Sequence, residues 1–317
     1  MIERPSPGAL TLLLPERGRL RGEVPGQRLA AVLAQADRQP DGQAGREAQW
    51  LRAFDVLPRR LAVAAITRQM DVGDARPGTW LRADPAWVRA DMTSARMLAC
   101  GELGLSADEA QALVAPLRSL FGDEGFPIDA PTPSRWYLRL PEQARLPAFS
   151  APDAVLGDDL HTHMPAGDEG RRWRRLLNEA QVLLHNHPLN AQRLRAGKPP
   201  VNSLWFWGGG TLPDHVRCNA AALVSDDATG LALARLAGIA TAAAEPAAIR
   251  QGEGARIIDL ALLRDVAELE PWLATAAETI AARRYAILRL DFADGACFAH
   301  LPRHRWRWWR RPWRRLA

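Results

Sequence analysis

The sequence is short of long apolar runs, of cysteine and of lysine, and each shortage closes off a class of protein. No stretch approaches the roughly 20 consecutive apolar residues that a membrane-spanning helix needs. The first apolar run, ALTLLL, is brief, follows Glu3 and Arg4, and lacks a small-residue cleavage site; it reads as a first strand rather than a secretory leader. Three cysteines, Cys100, Cys218 and Cys297, are an odd number without CxxC spacing, which argues against a disulfide framework and a structural zinc site and for buried free thiols. A cytoplasmic protein is the expectation. Of 41 basic residues only Lys198 is lysine, a bias that reflects genomic base composition as much as guanidinium chemistry. Acid is missing from residues 303–317, RHRWRWWRRPWRRLA, which hold seven arginines. The formal net charge of +5 therefore conceals a body of about −2.

What is present is ordinary globular material: 317 residues, 47% hydrophobic and 24% charged, enough for one large domain or two of usual size. ALTLLL, RLAAVLAQAD, EAQWLRAFDVL and LAVAAIT alternate strand-like and helical runs, the rhythm of an α/β layered sheet with flanking helices. LRAD and VRAD read as adjacent short strands. Ser106 with Glu109 three residues on is a capping-box signal. A proline-rich crossing suggests a boundary near residue 150, which divides the chain into an N-terminal α/β region (1–150), a second α/β region (151–302) and the Arg/Trp tail (303–317). Trp173, Leu176, Leu177, Ala180, Leu183, Leu184 and His187 mark one face of a helix, VNSLWFW is a strand, and LDFADGACFAHL is a hairpin about an Asp-Gly turn.

Several residues invite a functional reading. His185 and His187, two apart on a helix, point about 200° apart and cannot share an ion; His187 reads as a hydrogen-bonded packing residue. In DDLHTH an extended backbone would send His161 and His163 to one side, with Asp158 or Asp159 completing a metal or phosphate site; a polar loop is the alternative. Gly208, Gly209 and Gly210 follow a strand, where α/β proteins place ligand loops. Pro213 and the lack of GK[ST] weaken a phosphate cradle and favour a tight turn with close backbone approach. A ligand site, if present, would combine Asn202 or the glycine backbone with His161 or His163. In the tail, Arg303, Trp306, Trp308, Trp309, Arg310 and Arg311 suit three roles: a nucleic-acid arm, an anchor at an anionic membrane, or a docked segment. Four tryptophans in fifteen residues favour docking, with residues 298–308 continuing as strand and His304, Trp306 and Trp308 against the body.

The block GDDLHTHMPAGDEGRRWRRLLNEAQVLLHNHPLNAQRLRAGKPPVNSLWFWGGG, Gly157 to Gly210, resembles the archaeal-type cofactor-independent phosphoglycerate mutases. The whole chain, with NSLWFWGGG, LDFADG and RHRWRWW, is similar to the RpfE-type regulatory proteins. Both resemblances imply an alkaline-phosphatase-like α/β core, complete or reduced. The mutase resemblance implies two metal ions held by carboxylates and histidines, one carboxylate on the first strand, and a Ser or Thr nucleophile. Here the first aspartate is Asp37, no serine lies between Ser6 and Ser94, Thr67 is the only early hydroxyl in a core position, and Asp291 and Asp294 have no adjacent histidine. The expectation is a non-catalytic, regulatory or binding protein without a cofactor, whose partner is a protein or a small phosphorylated ligand. A divalent metal enters only if the chain is instead a mutase or phosphatase-like enzyme with an atypical site.

Overall fold

Ala9–Leu14 runs through the middle of a seven-stranded sheet in the computed structural model, which describes residues 8–21, 26–90, 94–142, 144–251 and 253–313. The chain forms two compact units, residues 1–60 with 214–317, and residues 61–213. The boundary expected near residue 150 falls inside the second unit. The proline-rich stretch that suggested it is pinned by aromatic packing: Phe149 meets Trp173 edge-on at 5.4 Å, and Trp136 is fully buried.

In the first unit the sheet order is Ala240–Ala242, Ala222–Val224, Arg256–Asp259, Ala9–Leu14, Ile287–Phe292, Cys297–His300, Asp37–Arg38. The first five strands are parallel and the last two antiparallel. Side chains alternate between faces along a strand. Leu10, Leu12, Leu14, Ile258, Leu288, Leu290 and Phe292 thus share one core with the helices Gln27–Gln35 and Val266–Ala281. Each such side chain, fully buried, stabilises by roughly 1.5–3 kcal/mol. The Asp-Gly hairpin forms as its sequence suggests, with Gly295 at φ 91°.

The second unit is built on one long strand. LRAD and VRAD are not two strands but parts of Thr79–Ala90, and Pro85 does not break it. On one side that strand pairs with Tyr137–Leu140 through Arg82 and then with Ala95–Cys100 from Ala86 onward. Proline falls at the handover, where no ladder bond from its nitrogen is needed. On the other side lies Ser203–Thr211. The helices Ala107–Asp123 and Gly167–His185 cover the sheet with Trp173, Leu176, Leu177, Ala180 and Leu184. The capping box at Ser106 and Glu109 is present. Leu183 is exposed, and His187 belongs to the next helix, Pro188–Arg195, as its N-cap: its Nδ1 accepts from the Leu189 N–H.

The tail docks, but not as a strand. Pairing ends at His300, and Pro302–Trp306 is a 3-10 turn, because Pro302 has no N–H to continue a ladder. His304 is buried, Trp306, Trp308 and Trp309 are exposed, and Trp313 packs edge-on against Phe298 at 5.5 Å. Arg307 and Arg310 donate to the carbonyls of Gln35, Ala34 and Ala36, the open C-terminal end of helix Gln27–Gln35, where cations are favoured. Arg307 also pairs with Asp37 at 2.6 Å. Arg303 and Arg311 reach into solvent, and 314–317 lie outside the described residues.

This docking should be acid-sensitive. Burial, helped by His304 and Arg307, holds His300 down at about 4 from its ordinary 6.5; burial and Arg307 also hold His304 low. An unfolded chain takes up these protons as pH falls below 6.5, whereas the folded one resists until its depressed values are reached. The stabilisation is therefore complete above pH 6.5 and is lost on descending toward 4. Thermal melts should show the first unit losing stability between pH 7 and 5, with a smaller loss in His300→Gln. Equal losses in both proteins would remove this role for His300.

Candidate functional site

The structure separates the residues that the sequence brought together. Leu160–His163 is a 3-10 turn, not extended, so His161 and His163 lie about 240° apart around its axis. Asp159 caps the turn by accepting from the His161 N–H, and His163 Nε2 sits 3.0 Å from Asp158 Oδ2. That bond and the Asp159 N–H hold the Asp158 carboxyl below its usual range. His161 and Asp158 are exposed and Asp159 is half-buried. Asn202 spends its amide on the sheet, with Oδ1 accepting from Val88 N–H at 2.8 Å and Nδ2 donating to Val88 C=O at 2.7 Å.

Gly208, Gly209 and Gly210 are strand residues, not a ligand loop. Gly208 and Gly209 together oppose Leu81 in a bulge between the pairs Trp207/Arg82 and Gly210/Trp80, and Gly208 has φ 64°. A Cβ on Gly208 would lie 2.9 Å from Val63 Cβ, and one on Gly210 2.8 Å from Ala62 Cβ. The glycines let helix Val63–Asp71 sit directly on the strand.

Polar groups converge instead at the carboxyl ends of the parallel strands, where α/β sheets place ligands. Asp259 ends its strand, Ser225 follows Ala222–Val224, and Asp227 caps the helix Ala228–Ala237. Ser225 donates to Asp259 at 2.7 Å and accepts from the Asp227 N–H at 3.0 Å. The helix Arg46–Ala53 lies along this edge with Arg46, Gln49 and Arg52, spaced three apart, turned toward it. Arg46 reaches Asp259 at 2.5 Å and Asp227 at 3.2 Å, and lies over the Trp50 ring at 4.1 Å. Gln49 donates to the carbonyls of Leu14 and Asp291 at 3.0 and 2.6 Å. Arg52 forks onto Asp291 at 2.9 and 2.7 Å. Gly230 makes room for Trp50, since any Cβ there would stand 2.5 Å from the indole. Burial pushes the Asp259 carboxyl up; Arg46 pulls it down and Asp227 pushes it up again, leaving it above its ordinary value. The helix thus closes four adjacent strand ends with its own side chains. Sequence reading passed over Arg46, Ser225, Asp227 and Asp259. The signals were an R-x-x-Q-x-x-R face and acids directly after apolar strands.

A second polar cluster is sealed inside residues 61–213. Arg82 and Asp84, two apart on a strand and so on one face, are joined at 2.7 and 2.8 Å. Trp207 Nε1 donates to Asp84 at 2.7 Å, and Thr67 is 3.3 Å from Arg82. Thr67 is fully buried and donates to the Val63 carbonyl, which places it far from the role of an exposed nucleophile.

An α/β protein whose parallel sheet carries ionisable side chains at its carboxyl edge, joined to an antiparallel unit, is the class that fold and site define. Part of the chain is similar to curated 2,3-bisphosphoglycerate-independent phosphoglycerate mutases: 40% identical over 62 residues to a probable one of Geobacter sulfurreducens, covering 20% of this chain and 16% of that one. The match to the Methanosarcina barkeri enzyme is 28% over 110 residues, 34% of this chain and 28% of that one. The matched segments therefore span less than a third of these relatives' length. Among solved structures, a cofactor-independent phosphoglycerate mutase of Thermoplasma acidophilum aligns over 92% of this chain and 89% of its own at 14% identity and a TM-score of 0.38. A Pyrococcus horikoshii protein aligns over 93% and 86% at 14% identity and a TM-score of 0.46. No protein-family profile matches the chain. Among the described residues no helix is long and apolar enough to cross a membrane.

Proposed function

We propose that this is a non-catalytic, phosphoglycerate-mutase-like protein with a regulatory or binding role, of the kind the RpfE-type resemblance implies, for a protein partner or a small phosphorylated ligand. The observation that carries this reading is the Arg46 clamp on Asp227 and Asp259. A two-metal phosphotransfer site needs clustered carboxylates and histidines free to ligate. Here a guanidinium takes two of the edge carboxylates and Arg52 takes the third, Asp291. Among the described residues no three His, Cys, Asp or Glu side chains gather where one ion could be held. The donor set does not fit two metals.

The segment shared with the mutases favours the second reading, a metal-dependent mutase or phosphatase-like phosphotransferase with an atypical site. Stringently purified protein, incubated with Mn²⁺, Mg²⁺ or Zn²⁺ and 3-phosphoglycerate or a generic phosphate ester, should give no turnover above buffer. Turnover abolished by Asp259→Ala or Asp227→Ala would establish the second reading and end the first.

A further inference from the structure

The face of the first unit's sheet opposite its leucine core is only partly covered. Ala9, Thr11, Leu13, Ile257, Ile287 and Ala299 floor a cavity of about 900 Å³ there. The helix Arg46–Ala53 and the strand pair Asp55–Leu57 with His215–Arg217 wall it through Leu51, Phe54, Asp55 and Arg217. This space lies beyond the plugged carboxyl edge, along the sheet surface. Its charge is one-sided: five arginines line it against Asp55 and Asp291. Arg52 already neutralises Asp291. Arg217 and Arg289 have no carboxylate partner among the described residues, and Arg59 makes only a 3.5 Å bond to the Leu51 carbonyl. Asp55 stands opposite Arg217 in the strand register without forming an ion pair.

We infer that this cavity binds a small organic phosphate, its phosphoryl group held by Arg59, Arg217 and Arg289 and its carbon body lying on the Leu13, Ile257 and Ile287 floor. The volume is that of a small-molecule site and far exceeds one free phosphate ion. Guanidinium groups fork onto phosphate oxygens, and several unpaired ones suit a group that carries nearly two charges. An apolar floor with a basic rim suits neither an uncharged solute nor a bare anion. The assignment rests on the reading of the chain as a ligand-binding protein and deepens it.

The test uses the full chain with AMP as organic phosphate, inorganic phosphate as the bare ion and adenosine as the uncharged body. Titration calorimetry should show saturable AMP binding, weaker binding of phosphate and none of adenosine. Arg217→Glu with Arg289→Glu should weaken AMP by at least about tenfold, since it removes two charge-assisted donors and sets like charges against the phosphoryl group. Arg217→Gln with Arg289→Gln should do so to a lesser degree. Both side chains are exposed, so an unchanged melting temperature is the control for folding. Cys218 and Cys297 also line the cavity, and burial pushes both thiols up; AMP should slow their alkylation at alkaline pH in the parent and not in the charge-reversed variant. Absence of saturable AMP binding, binding undiminished in both double variants, or a dimer in which the two thiols are protected without ligand would each overturn the site. None of these outcomes depends on turnover of 3-phosphoglycerate, so failure here and failure of the non-catalytic reading are separable.

Discussion

Asp84→Ala should destabilise the 61–213 unit by about 3–5 kcal/mol, because it strands a buried guanidinium. Arg82 and Asp84 are 5% and 2% exposed. Arg82 lies between the rings of Tyr137 and Trp207, at 5.4 and 5.2 Å, where water does not reach to replace the lost carboxylate. Asp84 also accepts from Trp207 Nε1 and from the Trp136 N–H at 3.3 Å, so its removal leaves those donors unsatisfied as well. For a unit of this size the loss corresponds to a melting temperature lower by on the order of 10 °C. Trp207→Phe, which removes one donor, should cost less, about 1–3 kcal/mol. Replacing both charges, Arg82→Met with Asp84→Leu, should recover much of the loss, since an ion pair can be exchanged for apolar packing where half of one cannot. Chemical denaturation of the three variants beside Asp158→Ala, whose carboxylate is exposed, decides the matter. A cost for Asp84→Ala as small as that for Asp158→Ala would mean that the pair is open to solvent.

The fold was legible in sequence wherever one local rule acted alone. Ser106 with Glu109, the Asp-Gly hairpin and the helical face from Trp173 to Ala180 each depend on residues a few positions apart, and each is present. Elements set by distant partners were not legible. Pro85 looks like a break until its neighbours change strand at that point. The proline-rich crossing looks like a linker until Phe149 meets Trp173. The same contrast holds for sites. His161 and His163 attracted attention because they are close in sequence, yet a 3-10 turn parts them. Arg46, Asp227 and Asp259 lie up to 213 positions apart, and only the crossover order of the sheet brings them together. Tail docking followed from the cost of exposing four indoles, but three of them remain exposed, and the segment is held through Arg307, Arg310, Trp313 and the buried His304.

Arg46→Ala should destabilise the first unit by about 3–5 kcal/mol at neutral pH, and the loss should shrink on acidification. With the guanidinium gone, Asp259, 9% exposed, is left as a buried charge whose remaining side-chain donor is Ser225 at 2.7 Å, with Asp227 close by. Its carboxyl, already raised by burial against the pull of Arg46, should rise further once that pull is removed. A folded-state value above the unfolded one means that, as pH rises, the unfolded chain sheds its proton first and the folded state loses ground until its own raised value is passed. Arg46→Ala should therefore be closest to the parent near the unfolded carboxylate range and furthest from it at pH 7. Asp259→Asn placed in the Arg46→Ala background should restore part of the stability by removing the charge, although in the parent it would weaken the clamp. This opposite sign in a double-mutant cycle separates an electrostatic plug from simple packing against Trp50. If Arg46→Ala costs under about 1 kcal/mol and Asp259→Asn has the same sign in both backgrounds, the helix Arg46–Ala53 does not close the strand ends. The edge carboxylates would then be available to a ligand, and the case for a non-catalytic protein would lose its main support.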